Sequence, residues 1–376
     1  MSQATLLIAG SEHDADMLYL SGMFVPDPFI AIEIKGVWHG LFSPLEVDRA
    51  AKQSTFDHVH LDSEWKEKGK EHGWQPGLTA AAAAFLQDRH ISHIRVPGHF
   101  PLRFAEQLRS WGFQVEAAEG ALFKSRIIKS EMEIKQLAKA EKLTRNAMRQ
   151  AEKFLGECTI GNDSVLRHID VSGKVKSKHL RSVIETYLIQ NGAMPSHTIV
   201  ACGKESADPH NIGQGALRAH QPIIVDIFPR LLSSGYWGDM TRTYVKGRAT
   251  PEVKKLYQTV REGQDIGLGM VADGILTADI HREITAHFDA CGFKTGSVRG
   301  KQCGFFHGTG HGVGLEIHEA PRVSTTGDRL KSGHVITIEP GLYYPHLGGV
   351  RIEDMVVVRE NGCTNLTNHR RKLEIR

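Results

Sequence analysis

The sequence predicts an α+β chain of two domains, and three observations carry that reading. The first third alternates strand-like and helix-like runs; a capping box near residue 130 opens a long amphipathic helix; and from there an order of two helices followed by strands occurs twice. The 376 residues give length for two cores.

Taken in order, Phe29–Ile34 and Val37–Phe42 flank Lys35-Gly36 and predict a hairpin. Leu78–Leu86 predicts a helix, in which Ala80–Ala84 reads as a helix-forming run and nothing more. A short strand over His93–Val96 ends at Pro97-Gly98, a helix covers Pro101–Trp111, and a further strand starts at Gln114. His58, His60, His90, His93 and His99 come with no carboxylate pattern, so this small α/β domain is expected to be a scaffold, an oligomer contact or a lid. The boundary falls within Phe123–Lys129, giving domains 1–126 and 127–376.

Ser130 and Glu133 form the capping box, each satisfying the other's otherwise orphaned backbone donor. The helix they open runs to about Leu155, with Ile134, Leu137, Ala138, Ala147, Met148, Ala151, Phe154 and Leu155 as its apolar stripe. A helix at about 178–190 and strands at about 197–246 follow. Thr250-Pro251 starts the second round, with helices at about 251–268 and 277–291 and strands to about 360. Such a duplicated order would place two sheets around one crevice.

Composition narrows the classes. A content of 40 % hydrophobic and 24 % charged residues is ordinary for a folded chain, and a net charge of +3 from balanced totals points to neither nucleic acid nor a membrane surface. Cys158, Cys202, Cys291, Cys303 and Cys363 are scattered, which disfavours a disulfide framework and a thiolate zinc site. The apolar run Leu6–Ala9 is too short for a signal sequence, so a reducing cytoplasm is the expectation.

The chemistry gathers in the second domain. Asp226 ends the apolar run Ile223–Val225; Asp239 shares a strand face with Thr241 and Thr243; Glu339 follows Val335–Ile338; and Glu353 shares a face with Arg351. Carboxylates on apolar strands are costly without compensation. Any one of them is more often salt-bridged than metal-bound, but two Asp and two Glu together balance two divalent cations. With His311 they make a set suited to Mn, Co, Zn or Fe. The run from His307 to Glu319 adds alternating glycines that permit close backbone approach, and three histidines, His307, His311 and His318, for one pocket. His281 and His287, on the helix before Cys291, read as core or surface residues.

From about residue 130 onward these motifs resemble the pita-bread metallopeptidases: methionine aminopeptidase, Xaa-Pro aminopeptidase, prolidase and creatinase. The matching stretches are Asp226 with Gly235–Thr243, His307–Glu319, Ile338–Gly341 and Arg351–Asp354, preceded by Ile199–Gly203 leading to Pro209-His210. The first domain, through Leu18–Gly22, is more loosely similar to the creatinase/prolidase N-terminal domain. The resemblance implies that Asp226, Asp239, His311, Glu339 and Glu353 ligate two metal ions, with Asp239 and Glu353 bridging. It implies that His210, His307 and His318 hold the substrate and steady the intermediate, and that Tyr343 and Arg351 belong to the pocket of the proline-specific branch. It implies a homodimer that hydrolyses Xaa-Pro bonds in peptides or dipeptides, with Glu339 moving the proton to the leaving nitrogen.

Two departures stand out. Asp226-Ile227-Phe228 replaces the family's Asp-x-Gly, and the interval to the second ligand, 239 − 226 = 13, is two residues longer than usual. Asn211 follows His210 where an aromatic residue or histidine is common. Both bear on the substrate more than on the metals. The rival readings are a methionine aminopeptidase, a creatinase-like amide or amidine hydrolase, and a binding module of the same fold; the complete ligand set and the first domain disfavour them.

Overall fold

A computed structural model describes residues 3–298 and 300–376, divided into two units, Met1–Arg126 and Ile127–Arg376. The first unit contains β1 (Gln3–Ala9), α1 (Ala15–Ser21), β2 (Phe29–Ile34), β3 (Val37–Phe42), α2 (Val47–Gln53), β4 (His58–Leu61), α3 (Asp62–Glu71), α4 (Leu78–Gln87), β5 (His93–Val96), α5 (Leu102–Ser110) and β6 (Gln114–Ala117). Its sheet runs β4-β3-β2-β1-β5-β6. The short apolar run at the start of the chain is the middle of β1, a central strand antiparallel to β2 and parallel to β5. Between β2 and β3, Lys35 and Gly36 take φ of 53° and 83°, the left-handed pair a two-residue hairpin needs.

Ala80–Ala84 does more than favour a helix. All five alanines are buried, and Ala81 to Ala84 pack in one cluster with Leu6, Ile30, Ile32 and Ile94 of the sheet. On the other side, a Cβ on Gly69 of α3 would lie 3.0 Å from the Cβ of Ala80. Small side chains let α4 lie close to its neighbours, so packing explains the composition. His39 and His60 meet across β3 and β4 at 3.1 Å and pack on Phe85. Burial, then the charges of His60, Arg89 and His58, lower His39 to about 4, which keeps it neutral.

Among the described residues the second unit has two helix pairs and two larger sheets, with four two-stranded ones. α6 (Glu131–Glu157) starts at the expected capping box and pairs with α7 (Ser177–Gln190). Their apolar stripe packs against a sheet ordered Ile199–Cys202, Ile223–Ile227, Met240–Lys246, Glu374–Ile375. α8 (Pro251–Met270) and α9 (Thr277–Ala290) pack against a second sheet ordered Glu319–Val323, Gly310–Gly312, Val335–Ile338, Asp354–Arg359, Gly362–Asn365. Gly341–Tyr344 and Gly348–Arg351 form a separate antiparallel pair. The duplicated helix, helix, strand order is therefore two layers of the same kind, each with its own core. Among the described residues no helix is long and apolar enough to cross a membrane.

Candidate metal centre

Asp226 and His311 lie in paired strands, and Asp239, Glu339 and Glu353 lie directly beside strand ends. Asp226 lies opposite Thr241 in the antiparallel pair Ile223–Ile227 and Met240–Lys246, and Asp239 immediately precedes the second strand. The Thr241 hydroxyl lies 2.8 Å from Asp226 Oδ1 and 2.8 Å from Glu353 Oε2, tying the two sheets' carboxyls together. His311 sits at a break in register with Glu319–Val323, an irregularity that re-aims a side chain. The glycines on either side are obligatory: a Cβ on Gly310 would strike the Thr337 carbonyl, and one on Gly312 the Ala320 carbonyl.

These constraints bring a ligand atom of Asp239, His311 and Glu353 within 4.8 Å of one another. His311 Nε2 is 3.6 Å from Asp239 Oδ2 and 3.4 Å from Glu339 Oε1. Its Nδ1 is 3.1 Å from the Gly312 carbonyl. The tautomer that donates there leaves Nε2 with a lone pair facing the acids, as a metal-binding histidine requires. Asp226, Asp239, His311, Glu339 and Glu353 all line one cavity of about 540 Å³, together with His210, His307, His318 and Arg351.

The electrostatics explain why the cluster wants cations. Burial, reinforced by the neighbouring acids, raises Asp239 and Glu353 well above the carboxylate range. Burial pushes Glu339 to about 7 despite the opposing charge of Arg351. Burial and then the His318 charge lower His311 to about 3, so its imidazole is neutral and free to ligate. Oxygen-rich ligands with one imidazole fit hard or borderline divalent ions, and two such ions would let all four carboxyls ionise together.

The residues expected at the substrate divide into two groups. His210 and His318 are exposed in the cavity, the His318 ring centroid 4.2 Å from that of His311. Tyr343 is fully buried and lies behind the lining residues His307 and Arg351. Its hydroxyl accepts from Arg351 Nη1 at 2.9 Å and can donate to His307 Nε2 at 3.0 Å. His307 Nδ1 lies 2.7 Å from the Gly308 carbonyl. Both its nitrogens are thereby engaged by the protein, and His307 is a wall residue rather than a free donor. Arg351 is also committed, with Nη2 2.7 Å from Asp226 Oδ2.

Four residues to which the motif reading gave no role accompany the same set. Thr241 bridges the carboxyls. Glu141 of α6, fully buried, accepts from the Asp239 backbone N–H at 3.0 Å; its position in the stripe Ile134, Leu137, Glu141, Thr144, Met148 was a signal, since a charged residue there faces the core. Arg322, opposite His311 in register, is exposed in the cavity. Phe228, in the lengthened Asp226–Asp239 hairpin, lines the cavity as well, so the departure from Asp-x-Gly adds an aromatic wall. His281, read as a core or surface residue, has Nδ1 2.9 Å from Thr309 Oγ1, inside the glycine-rich run.

Comparison with known proteins identifies the family and the fold. A model of metallopeptidase family M24 matches residues 135–360. An Xaa-Pro dipeptidase of Pyrococcus horikoshii is 33 % identical over 293 residues, 75 % of each chain. An Xaa-Pro dipeptidase of Pyrococcus furiosus is 35 % identical over 256 residues, 66 % of this chain and 65 % of the relative. The crystal structure of the P. horikoshii prolidase aligns with 99 % of this chain and 95 % of its own at a TM-score of 0.79 and 26 % identity. An X-Pro aminopeptidase from Thermotoga maritima shares the fold at 0.81 and 22 % identity, over 99 % of this chain and 97 % of its own.

Proposed function

The chain belongs to metallopeptidase family M24, and from that premise we propose that it hydrolyses the Xaa-Pro bond of dipeptides with two divalent ions. The observation that carries the reading is the set Asp226, Asp239, His311, Glu339 and Glu353, all buried but the half-buried Glu339, lining a single cavity. These five residues would hold the ions, with Mn, Co, Zn and Fe all compatible. When bound, the ions supply Lewis acidity and lower the pKa of water.

The chain's own residues supply the rest. Glu339, its side chain 18 % exposed, faces the cavity and is suited to take a proton from water and return it to the departing nitrogen. His210 and His318, both exposed there, can donate to the charge that develops on the scissile carbonyl's oxygen. Arg322 has no hydrogen-bond or ion-pair partner among the described residues and offers a cation for a free carboxylate on the leaving proline. That last feature favours a dipeptide over a longer peptide, in line with the names of the two sequence relatives. A homodimer and a cytoplasmic setting belong to the same reading; the first rests on resemblance, the second on five cysteines without a disulfide.

The test is cleavage of an Xaa-Pro dipeptide, an Xaa-Pro tripeptide, a Met-Ala tripeptide and creatine after loading with Mn²⁺, Co²⁺ or Zn²⁺. Metal-dependent release from the dipeptide in preference to the tripeptide is the expected result. Preference for the tripeptide would make the chain an Xaa-Pro aminopeptidase, and turnover of creatine alone would sink the peptidase reading.

A further inference from the structure

Outside the cavity, the pairing of α8 with α9 brings together three groups of different chemistry. His287 and Cys291 are one helical turn apart and therefore share a face. Glu262 reaches them from α8 because the two helices approach closely: a Cβ on Gly263 would lie 2.6 Å from a Phe288 ring carbon, and one on Gly267 3.0 Å from Ile284 Cδ1. Glu262 Oε2 lies 3.3 Å from His287 Nε2, and Cys291 Sγ lies 3.8 Å from the same nitrogen. All three ligand atoms are within 4.8 Å of one another.

We propose that Glu262, His287 and Cys291 form a second metal site, selective for zinc-class ions. The distances carry it. In a tetrahedral zinc site, ordinary bond lengths set the nitrogen–oxygen edge at about 3.3 Å and the nitrogen–sulfur edge at about 3.6 Å. The observed separations are close to both. A plain His–Glu ion pair would account for one of them, but not for a thiol converging on the same nitrogen. Gln258 Nε2 donates to Glu262 Oε1 at 2.6 Å, orienting the carboxylate and leaving Oε2 for an ion. The three residues are half-buried, which leaves room for entry and for water as the fourth ligand.

The ligand chemistry separates this site from the cavity. Thiolate with imidazole selects Zn, Co or Cd over Mn or Mg, whereas the oxygen-rich cavity accepts the harder ions. An ion here would tie α8 to α9, the helix whose His281 meets Thr309 in the run between His307 and His311. The site is independent of the peptide bond that the cavity cleaves.

The experiment is titration of the full-length, reduced, metal-free chain with Co²⁺, followed by absorption. A thiolate-to-cobalt charge-transfer band in the near ultraviolet is expected. It should vanish in Cys291→Ser and in His287→Gln, two independent variants, and persist in His311→Ala, which damages only the cavity. Matching unfolding midpoints of the metal-free variants and the parent exclude misfolding as the cause. A parent without the band, a band that survives Cys291→Ser, or one lost in His311→Ala would overturn the assignment.

Discussion

Adjacent residues of the chain lead into two opposite electrostatic solutions. Arg242 and Asp354 are buried on one side and form an ion pair at 2.7 Å. The guanidinium also donates to the carbonyls of Thr241, Glu353 and His369, while Asn365 donates to the other Asp354 oxygen. One residue along, Glu353 lines the cavity and the buried Thr241 hydroxyl reaches it from behind, and there Asp226, Asp239, Glu339 and Glu353 are met by one buried guanidinium, that of Arg351. The first cluster is completed by the protein. The second would carry excess negative charge if all four acids ionised, and on the proposed function cations complete it, which would make it the binding site and its neighbour the frame.

Breaking the frame should have the largest effect. Asp354→Ala strands a buried guanidinium and is expected to cost about 3–5 kcal/mol of stability, read as a lower urea midpoint. Replacing Arg242 and Asp354 together by Met and Leu should cost much less, because no charge is left alone. If the single and double variants are equally unstable, the ion pair is not what holds that side.

Breaking the site should do the reverse, sparing stability and removing function. Glu339→Ala is expected to lower turnover of an Xaa-Pro dipeptide by about 10²–10⁴-fold, with an unfolding midpoint no lower than that of the metal-free parent. A variant that retains near-parental turnover would remove Glu339 from the proton path.

The contrast also fixes a pH dependence for the metal-free chain. Glu339 moves from 4.5 to about 7 and Glu141 from 4.5 to about 8, mainly by burial. The folded state then binds more protons than the unfolded state above 4.5, so these groups lose stability as pH rises towards 8. His307 and His311 move the other way, from 6.5 to about 3, again mainly by burial, and their contribution grows with pH until 6.5. Only the acids act above that point, so stability should fall between pH 6.5 and 8, by at most about 1.4 kcal/mol per pH unit for each proton. Saturating Mn²⁺, which binds the deprotonated acids, should reverse the slope, and Asp239→Asn should flatten it. Urea midpoints across this range test both; a metal-free chain that gains stability there would refute the account.

Much of this was legible in the sequence because it is local or repeats a motif. The Ser130–Glu133 capping box, the Lys35-Gly36 turn and the acid-bearing strands announce themselves within a few residues. What was missed depends on contacts between distant segments. That the Tyr343 hydroxyl lies between Arg351 and His307 is visible only in the structure. His287 and Cys291 look like an ordinary helix end until α8 supplies Glu262 through a glycine-lined contact. Ala80–Ala84 reads as helix propensity, yet its composition answers to the close packing of α3 and the sheet.

The smallest effect tests the same contrast on arginines. Arg351 is buried and committed to Asp226, Tyr343 and Thr241, whereas Arg322 stands exposed in the cavity across from His311. A committed guanidinium belongs to the frame; an uncommitted one in a cavity awaits a ligand. Arg322→Ala should therefore leave stability within about 0.5 kcal/mol, as for other exposed positions. It should raise KM for an Xaa-Pro dipeptide by about tenfold or more, the worth of a charge-assisted hydrogen bond of about 1.5–3 kcal/mol. The same substrate with its carboxylate amidated should lose most of that sensitivity, and Arg322→Lys should recover part of the binding but not the forked geometry. Equal losses on the free acid and the amide would mean that Arg322 acts on the cavity's acids instead, through its field on Glu339, and would move the carboxylate anchor elsewhere.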